Sequence, residues 1–299
     1  MVAQFFKAIR PINLAIVGGY QYIIYYKYIL SIVENPRLSP LHFLGFVVTT
    51  LLVTAGGYLI NDYYDHEGDL INKTNWHKLN KSTLWNAYIV VTLLGFIIAL
   101  WIAYQIRHLS YAGIYAFAVA LLYVYSAWAK RQALIGNIIV AAFSGLSILV
   151  LLLTEWPALT IVMTISPTGY ETAVTIIGGM AIFAFFVSLI RELVKDVEDI
   201  KGDQSSGYRT LPITIGVPRT KFLIIFYLLL TIFLTGLWSL SQWHITTLAS
   251  SILFLLGVMG SLVVSTYLAF RLEGKSDYTR LSTLLKITMV IAMIYTCIV

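Results

Sequence analysis

Two acid-rich stretches occur in a chain that is otherwise strongly apolar. The first reads LINDYYDHEGDLIN over residues 59–72, and the second reads RELVKDVEDIKGD over residues 191–203. Each follows a long apolar run, and together they contain nine of the chain's 14 acidic residues. Clustered carboxylates repel one another unless a cation lies among them, so the two stretches point to ion binding.

Both stretches carry three aspartates at the spacing i, i+3 and i+7, which places them on one face if each helix continues that far. Asn61 and Glu192 each lie four residues before an aspartate and flank the same faces. The two triplets are Asp62, Asp65 and Asp69, and Asp196, Asp199 and Asp203. Oxygen-only ligands suit a hard ion, so we expect Mg²⁺ here, with Mn²⁺ as an alternative.

The competing interpretation is that each stretch is an ordinary solvated helix extension, as most charge runs are. The chain has few acidic residues, yet the two clusters share one spacing. It is therefore unfavourable to interpret both clusters as ordinary solvated surfaces. A calcium loop fits less well, because DYYDHEGD lacks the alternating oxygen ligands and the downstream Glu of that motif.

The composition identifies the environment of these acids. The 299 residues are 59% hydrophobic and 11% charged, whereas a soluble domain carries roughly a quarter charged residues. Apolar segments long enough to span a bilayer recur throughout, and in lipid they must be helical because every backbone polar group has to be paired. We predict a single all-α polytopic membrane domain over residues 1–299, with nine transmembrane helices. The predicted spans are residues 12–33, 41–60, 84–106, 109–129, 133–154, 172–190, 220–242, 245–270 and 281–299.

Two other kinds of site are disfavoured. Cys297 is the only cysteine, which excludes an internal disulfide framework and a cysteine-based metal site. The net charge of +6 would suggest nucleic acid in a soluble protein, but basic loops on one membrane face explain it here. We therefore expect no nucleic-acid partner.

The distribution of Lys and Arg predicts how the spans are oriented. With nine spans, only three of the 20 Lys and Arg residues fall on one side, namely Lys27, Arg37 and Arg107. Because basic loops remain in the cytoplasm, we expect the N-terminus and both acidic stretches to be cytoplasmic and the C-terminus external. Residues 155–171 are expected to form an external loop.

Basic and amide side chains are expected at the cytoplasmic face as well. Asn13 begins the first span close to Arg10, the pair Lys130–Arg131 follows the fourth span, and Arg209 follows the second acidic stretch. Each alone is explained by the excess of positive charge on that side. Together with a metal site they suit a polyphosphate, so we predict a substrate with a diphosphate head and a lipid tail.

The acidic stretches also match known sequence motifs. NDYYDHEGD resembles N-D-x-x-D-x-x-x-D, the first Asp-rich motif of the UbiA-type intramembrane prenyltransferases, and DVEDIKGD resembles their second. The likeness includes RPIN near the start, YSAWAKRQALIGNIIVA over residues 125–141, and residues 191–216. The second motif looks most similar to the branch that prenylates geranylgeranylglyceryl phosphate.

This resemblance implies a helical bundle around a central cavity that opens sideways to lipid. It implies that Lys130 touches the diphosphate, that Tyr125 lies near the reactive carbon, and that Asp65 and Asp199 are essential to catalysis. The implied Mg²⁺ ligands are Asn61, Asp62, Asp65, Asp69, Asp196, Asp199 and Asp203. The candidates for binding the diphosphate are Asn13, Asn61, Lys130, Arg131 and Arg209.

The reaction expected of such a site is Mg²⁺-dependent transfer of a geranylgeranyl-type group from its diphosphate to a lipophilic acceptor in the lipid membrane. Mg²⁺ and cationic side chains stabilise the departing diphosphate, and an apolar cavity keeps water from the allylic cation. One alternative is a terpene cyclase on the same scaffold, which uses no acceptor. Another is a cation or metabolite transporter, which is disfavoured because transporters place their charged sites near the middle of the membrane.

One segment departs from the family pattern. After the first motif the family continues with N-x-P-x-R, whereas this chain has Thr74 and Trp76 at the positions of Pro and Arg. Loss of the Pro loosens the loop, and loss of the Arg removes a planar group suited to phosphate. We therefore hypothesise that the enzyme does not use the phosphorylated glycerol lipid, which favours a neutral acceptor or internal cyclisation.

Overall fold

The computed structural model describes residues 2–72, 79–242 and 246–299, without the side chains of residues 2 and 68–72. Within these ranges the chain is helical and contains no β-strand. The helices are α1 (Val2–Ala8), α2 (Pro11–Ile23), α3 (Pro40–Asn72), α4 (Lys81–Gln105), α5 (Ser110–Ala127), α6 (Ile135–Ile165), α7 (Pro167–Glu198), α8 (Ile200–Ser205), α9 (Leu211–Thr214), α10 (Val217–Ser241), α11 (Leu248–Ile252), α12 (Gly260–Phe270) and α13 (Lys275–Ile298).

Among the described residues, eight helical segments are long and apolar enough to cross a membrane. They are α3 to α7, α10, the continuous segment Leu248–Phe270 and α13. The predicted all-α polytopic membrane fold is confirmed. The first predicted span corresponds to α2 and its π-helical continuation Ile24–Ile29, which is not among the eight, so the count of nine remains a prediction.

Helices that follow one another in the chain pack side by side. The most extensive packing joins α3 to α4 and α6 to α7, and α7 is the most deeply buried of the spanning helices. The last helix, α13, contacts both α7 and α2, which brings the two ends of the chain together. The short helix α8 packs on α3, so the segment that follows α7 meets the polar end of α3.

The expected extent of the loop over residues 155–171 is wrong, while its external location remains a prediction. α6 continues through Pro157 to Ile165, and α7 begins at Pro167, so Ser166 alone separates the two helices. A proline is tolerated inside a spanning helix when neighbouring side chains pair the freed backbone groups. Pro157 therefore does not mark the end of a span.

Glu155, within α6, is completely buried and holds a distant loop. Its two carboxylate oxygens accept hydrogen bonds from the backbone N–H groups of Arg37, at 2.8 Å, and Leu38, at 2.9 Å. These N–H groups belong to the connection that precedes α3, which has no helical partner for them. A carboxylate that accepts two buried donors ties this connection to α6.

Replacing Glu155 with alanine is expected to lower the free energy of unfolding by about 2–6 kcal/mol, because two N–H groups lose their acceptor at about 1–3 kcal/mol each. Thermal unfolding of the purified protein in detergent would measure the loss. Glu171→Ala is the matched control, since Glu171 is an exposed acid near the start of α7. Equal midpoints for the two variants would contradict the bridging role of Glu155.

An apolar cavity of about 330 Å³ lies between α7, α10, the π-helical segment Leu253–Met259 and α13. Its lining includes Phe183, Phe186 and Trp238 and contains no acidic or basic residue. Phe186 precedes Asp196 by ten residues, which is about 15 Å along a helix. The cavity suits a hydrocarbon chain and is separate from the acidic residues.

Candidate functional site

The first acidic cluster lies on one continuous helix. α3 runs without a break to Asn72, so Asp62 and Asp65 share its polar end as the spacing predicted. Asp62 is buried, whereas Asp65 is half-buried and faces other parts of the chain. The side chain of Asp69 lies outside the described side chains, and its role as a ligand remains a prediction.

Asp65 is the point where several predicted site residues meet. The ammonium group of Lys130 donates to Asp65 Oδ1 at 2.5 Å, and the Asn61 amide donates to Asp65 Oδ2 at 2.8 Å. Lys130 also donates to the amide oxygen of Asn61 at 3.3 Å. The Tyr208 hydroxyl donates to Asp65 Oδ1 at 3.3 Å. Three residues far apart in sequence thus converge on one carboxylate.

Asp62 is held by the residue that precedes α2. Arg10 adopts the left-handed backbone conformation (φ 54°, ψ 65°), and its guanidinium donates to Asp62 Oδ1 at 2.7 Å. The guanidinium also lies 4.6 Å from the centre of the Tyr58 ring. Asn13 donates to the Tyr58 hydroxyl at 3.0 Å, which places this predicted ligand next to the first cluster. The left-handed conformation is unfavourable for arginine, and here it directs the Arg10 guanidinium towards Asp62.

The second cluster does not lie on one continuous helix, so that part of the prediction is wrong. α7 ends at Glu198, Asp199 joins the two helices (φ −102°, ψ 5°), and α8 begins at Ile200. Asp196 accepts a hydrogen bond from the Asn137 amide of α6 at 2.9 Å. The break lets the chain turn after Asp199, so Asp203 departs from the helical line of α7.

The segment after α8 joins the two clusters. The backbone N–H of Tyr208 donates to the Asp203 carbonyl at 2.9 Å, while its hydroxyl reaches Asp65. The Thr210 hydroxyl donates to the Asp203 carboxylate at 3.3 Å. The backbone N–H of Arg209 donates to the Arg131 carbonyl at 2.8 Å. The second cluster is therefore fastened to both Asp65 and the turn that carries Lys130.

Arg131 and Arg209 lie at the rim of this site, with exposed side chains. The Arg131 guanidinium is 5.4 Å from the centre of the Tyr208 ring, an attractive cation–π arrangement. The structure thus places Arg131 and Arg209, two of the five predicted diphosphate ligands, at the mouth of the site. Lys130, whose side chain is 8% exposed, lies deeper.

The carboxylates of the two clusters repel each other. Burial, together with the nearby charges of Asp199 and Asp65, raises the pKa of Asp203 to about 7. The charged form of Asp203 is therefore favoured when a cation approaches, as expected of a carboxylate in a cation-binding site.

The donors fit a substrate-assisted Mg²⁺ site better than a closed cage. Among the side chains that the structure describes, which exclude Asp69, no group of three or more acidic, His or Cys residues encloses a metal position. Mg²⁺ keeps several waters and is held by one or two carboxylates together with substrate phosphates. Asp65 and Asp203, on facing elements, match that demand by donor type and charge.

Tyr125, predicted near the reactive carbon, belongs to α5 and is half-buried. The charges of Asp65, Asp196 and Glu192 all act on its hydroxyl. Tyr125 therefore lies near residues of both clusters.

A close backbone approach fixes the position of Lys130. A Cβ atom on Gly136 would lie 2.7 Å from the Lys130 Cα atom, closer than real contacts allow. Leu134, between the two, has a positive φ of 68°, which a leucine rarely adopts. The start of α6 is pressed against the 3₁₀ turn Ala129–Arg131 that presents Lys130.

Gly136→Ala is expected to lower kcat by roughly 10- to 100-fold, because the clash shifts Lys130 and small misplacements in a site can cost about 10²-fold. Steady-state kinetics of the purified variant would show this. Gly113→Ala is the control, since a Cβ there meets no atom within 4 Å. Unchanged turnover in Gly136→Ala would mean that the turn accommodates the methyl group without moving Lys130.

The sequence analysis missed several residues that organise the site. Each of these residues forms a side-chain hydrogen bond to a predicted ligand. They are Tyr58, Asn137, Tyr208 and Thr210. Asn137, Tyr208 and Thr210 fall inside the segments that resemble the family, at residues 125–141 and 191–216. That resemblance was the only available signal, because their partners are remote in sequence.

Apolar spanning helices with a recessed polar site at one end of the bundle define an integral membrane protein that can hold an anionic head group. A model of the UbiA prenyltransferase family matches residues 23–278. The chain therefore belongs to the UbiA prenyltransferase family, and it is a prenyltransferase.

Curated relatives are similar over most of their length. The chain is 30% identical over 231 residues to the digeranylgeranylglyceryl phosphate synthase of Sulfurisphaera tokodaii, covering 74% of this chain and 73% of that protein. It is 33% identical over 232 residues to the protein of the same name from Hyperthermus butylicus, covering 75% and 70%. Because the matching family model is one of prenyltransferases, the transporter interpretation is set aside.

Solved structures share the fold. A structure from work on digeranylgeranylglyceryl phosphate synthase in membranes is 22% identical, with a TM-score of 0.59 and coverage of 99% of this chain and 98% of that one. A UbiA homologue from Archaeoglobus fulgidus bound to GPP and Mg²⁺ is 15% identical, with a TM-score of 0.59 and coverage of 98% and 99%. At these identities the likeness establishes the fold.

Proposed function

We propose that this enzyme transfers a geranylgeranyl-type group from its diphosphate to a glycerol-phosphate lipid within the membrane. The observation that carries the proposal is the convergence of Lys130, Asn61 and Tyr208 on Asp65, next to the second acidic cluster. The names of the curated relatives support the same reaction. The UbiA homologue solved with GPP and Mg²⁺ supports a prenyl diphosphate and a divalent metal.

The residues divide the work by charge. Asp65 and Asp203, with Asp62, Asp196 and Asp199, supply anionic oxygens for the metal, and Asn61 adds an amide oxygen. When bound, Mg²⁺ neutralises charge on the departing diphosphate. Lys130 directs its ammonium group at the same place and stabilises the anion that leaves. Mn²⁺ as a substitute remains a prediction.

Tyr125 acts on the allylic cation, which is the other product when the diphosphate leaves. Tyr125 can present its ring to the allylic carbon, where an aromatic face stabilises a cation by about 0.5–2 kcal/mol. The apolar cavity that Phe183, Phe186 and Trp238 help to line offers the hydrocarbon chain an environment that excludes water.

We favour a phosphorylated acceptor over the neutral one hypothesised from the sequence. The loop on which that hypothesis rested, with Thr74 and Trp76, lies outside the described residues. The curated relatives are named for a phosphorylated lipid product. The cyclase alternative gains no support, since those relatives are named for a lipid product with two prenyl groups and not for a cyclic terpene.

The test is an assay of purified protein with Mg²⁺, labelled geranylgeranyl diphosphate and geranylgeranylglyceryl phosphate. We expect a product that carries two geranylgeranyl groups and one phosphate, identified by its mass. Geranylgeranyl diphosphate incubated alone is the control. A cyclic hydrocarbon or alcohol in that control would overturn the proposal in favour of the cyclase.

We also propose that the acidic clusters face the cytoplasm, as the positive-inside rule predicts. In a Cys297→Ser background, Ser206→Cys and Thr168→Cys place single exposed thiols near opposite ends of α7. An impermeant thiol reagent should label Thr168→Cys in intact cells and Ser206→Cys only after permeabilisation. Labelling of both from the same side would reject this orientation.

A further inference from the structure

A second group of cations lies inside the bundle and takes no part in the Asp65 site. Arg191 and Lys195 occupy α7, four residues apart and therefore on one face, and Lys286 lies on α13, which packs against α7. The positive charges of Arg191, Lys195 and Arg10 are close enough to repel that of Lys286. We call Arg191, Lys195 and Lys286 the basic triad.

The basic triad is recessed below the end of the bundle. Lys286 lies eleven residues after the start of α13, about 16 Å along the helix, and Arg191 lies seven residues before the end of α7, about 10 Å. Ionisable residues at such depth are costly, and by default they mark a functional site. The positive-inside rule explains basic loops but does not explain cations placed within the spans.

The charge of the basic triad is only partly balanced. Glu192 accepts from Lys195 at 2.8 Å and lies 4.0 Å from the Arg191 guanidinium. Within the described part of the chain, the Nε atom of Arg191 is buried and has no hydrogen-bond partner. Three cations against one acid leave a net charge of about +2, which matches a phosphate monoester carrying about −1.5 to −2.

We infer that the basic triad binds the phosphate group of the acceptor lipid and so selects a phosphorylated acceptor; this inference rests on the proposed function. The donor diphosphate would have its own cation in Lys130, which lies in the turn between α5 and α6 and not on α7 or α13. Arg10, which is bonded to Asp62, is also near enough for its charge to act on Lys286, so the basic triad lies in the neighbourhood of the first acidic cluster. The acceptor phosphate would thus be held beside the donor, with the two anions on separate cations.

The measurement is the KM for each substrate in Lys286→Gln. Loss of one charge-assisted contact is expected to raise the KM for geranylgeranylglyceryl phosphate by roughly 10- to 100-fold. The KM for geranylgeranyl diphosphate should change by less than about two-fold, since that substrate contacts Lys130. Lys286→Arg should restore most of the affinity, because the positive charge is retained.

Two comparisons separate phosphate binding from a structural role. With geranylgeranylglycerol, which lacks the phosphate, Lys286→Gln and the wild type should perform equally. Lys275→Gln is the matched control, since Lys275 is an exposed lysine at the start of the same helix. If Lys286→Gln fails to fold, as judged by thermal unfolding, Arg191→Gln must show the same selective rise in KM.

A rise in the donor KM, or an unchanged acceptor KM, would overturn the inference. Binding of labelled geranylgeranylglyceryl phosphate without donor gives an independent readout of the same site. If the wild type binds this lipid but forms no product, the proposed function fails while the basic triad is still tested by weaker binding in Lys286→Gln. Equal binding by the wild type and Lys286→Gln rejects the basic triad whether or not product forms.

Discussion

Asp65→Asn is expected to lower the rate of diphosphate release by roughly 10³-fold, since removing one preorganised electrostatic group from a site costs about 10²–10³-fold in kcat. The substitution keeps the size of the side chain and removes its charge. Lys130 then loses its anionic partner at 2.5 Å, and the metal loses a ligand. Asp199→Asn should have a comparable effect, because it removes a charge from the second cluster. Release of diphosphate by the purified variants measures both effects.

Glu67→Gln is the matched control for Asp65→Asn. Glu67 lies two residues later on α3, is exposed, and forms a surface ion pair with Lys81. Such pairs contribute about 0–1 kcal/mol, so activity should be unchanged. A raised Mg²⁺ requirement in Asp65→Asn would further distinguish metal binding from misfolding. Near-normal diphosphate release in both Asp65→Asn and Asp199→Asn would reject the assignment of the metal site.

Lys130→Gln is expected to reduce kcat by roughly 10²–10³-fold, because it removes a buried cation directed at the leaving diphosphate. Lys130 is 8% exposed and contacts Asp65 and Asn61, so no neighbouring cation can take its place without a rearrangement. The KM for the acceptor should change little. Single-turnover measurements with saturating donor would separate the chemical step from product release.

Lys81→Gln serves as the comparison for Lys130→Gln, since Lys81 is an exposed lysine paired only at the surface. Its activity should match the wild type. Lys130→Arg should recover part of the rate by restoring the charge, although the planar guanidinium cannot reproduce the geometry of an ammonium group. Full activity in Lys130→Gln would show that the diphosphate leaves without help from this residue.

The sequence by itself determined the membrane fold and the two Asp-rich clusters. Apolar length and helical spacing are local properties, and they predicted spanning helices that the structure confirms. The unbroken helix through Asp62 and Asp65 was predicted for the same reason. The family motifs further singled out Lys130 and Tyr125, because a motif preserves the order of residue types even where the contacts are unknown.

Local patterns failed where neighbouring elements override them. The fifth span was predicted to end at residue 154, yet α6 continues through Pro157 to Ile165. Helical spacing suggested one face for Asp196, Asp199 and Asp203, yet the chain turns at Asp199. Propensity and spacing describe a segment in isolation, and tertiary packing decides between such alternatives.

Only the tertiary structure decided which residues share a site. Tyr208 reaches Asp65 across 143 positions in the sequence, and Glu155 holds the backbone of Arg37 and Leu38 across 118 and 117. The basic triad likewise exists because α13 packs on α7. Such contacts depend on how the helices are arranged against one another, which no single segment encodes, because each segment fixes only its own apolar and polar faces.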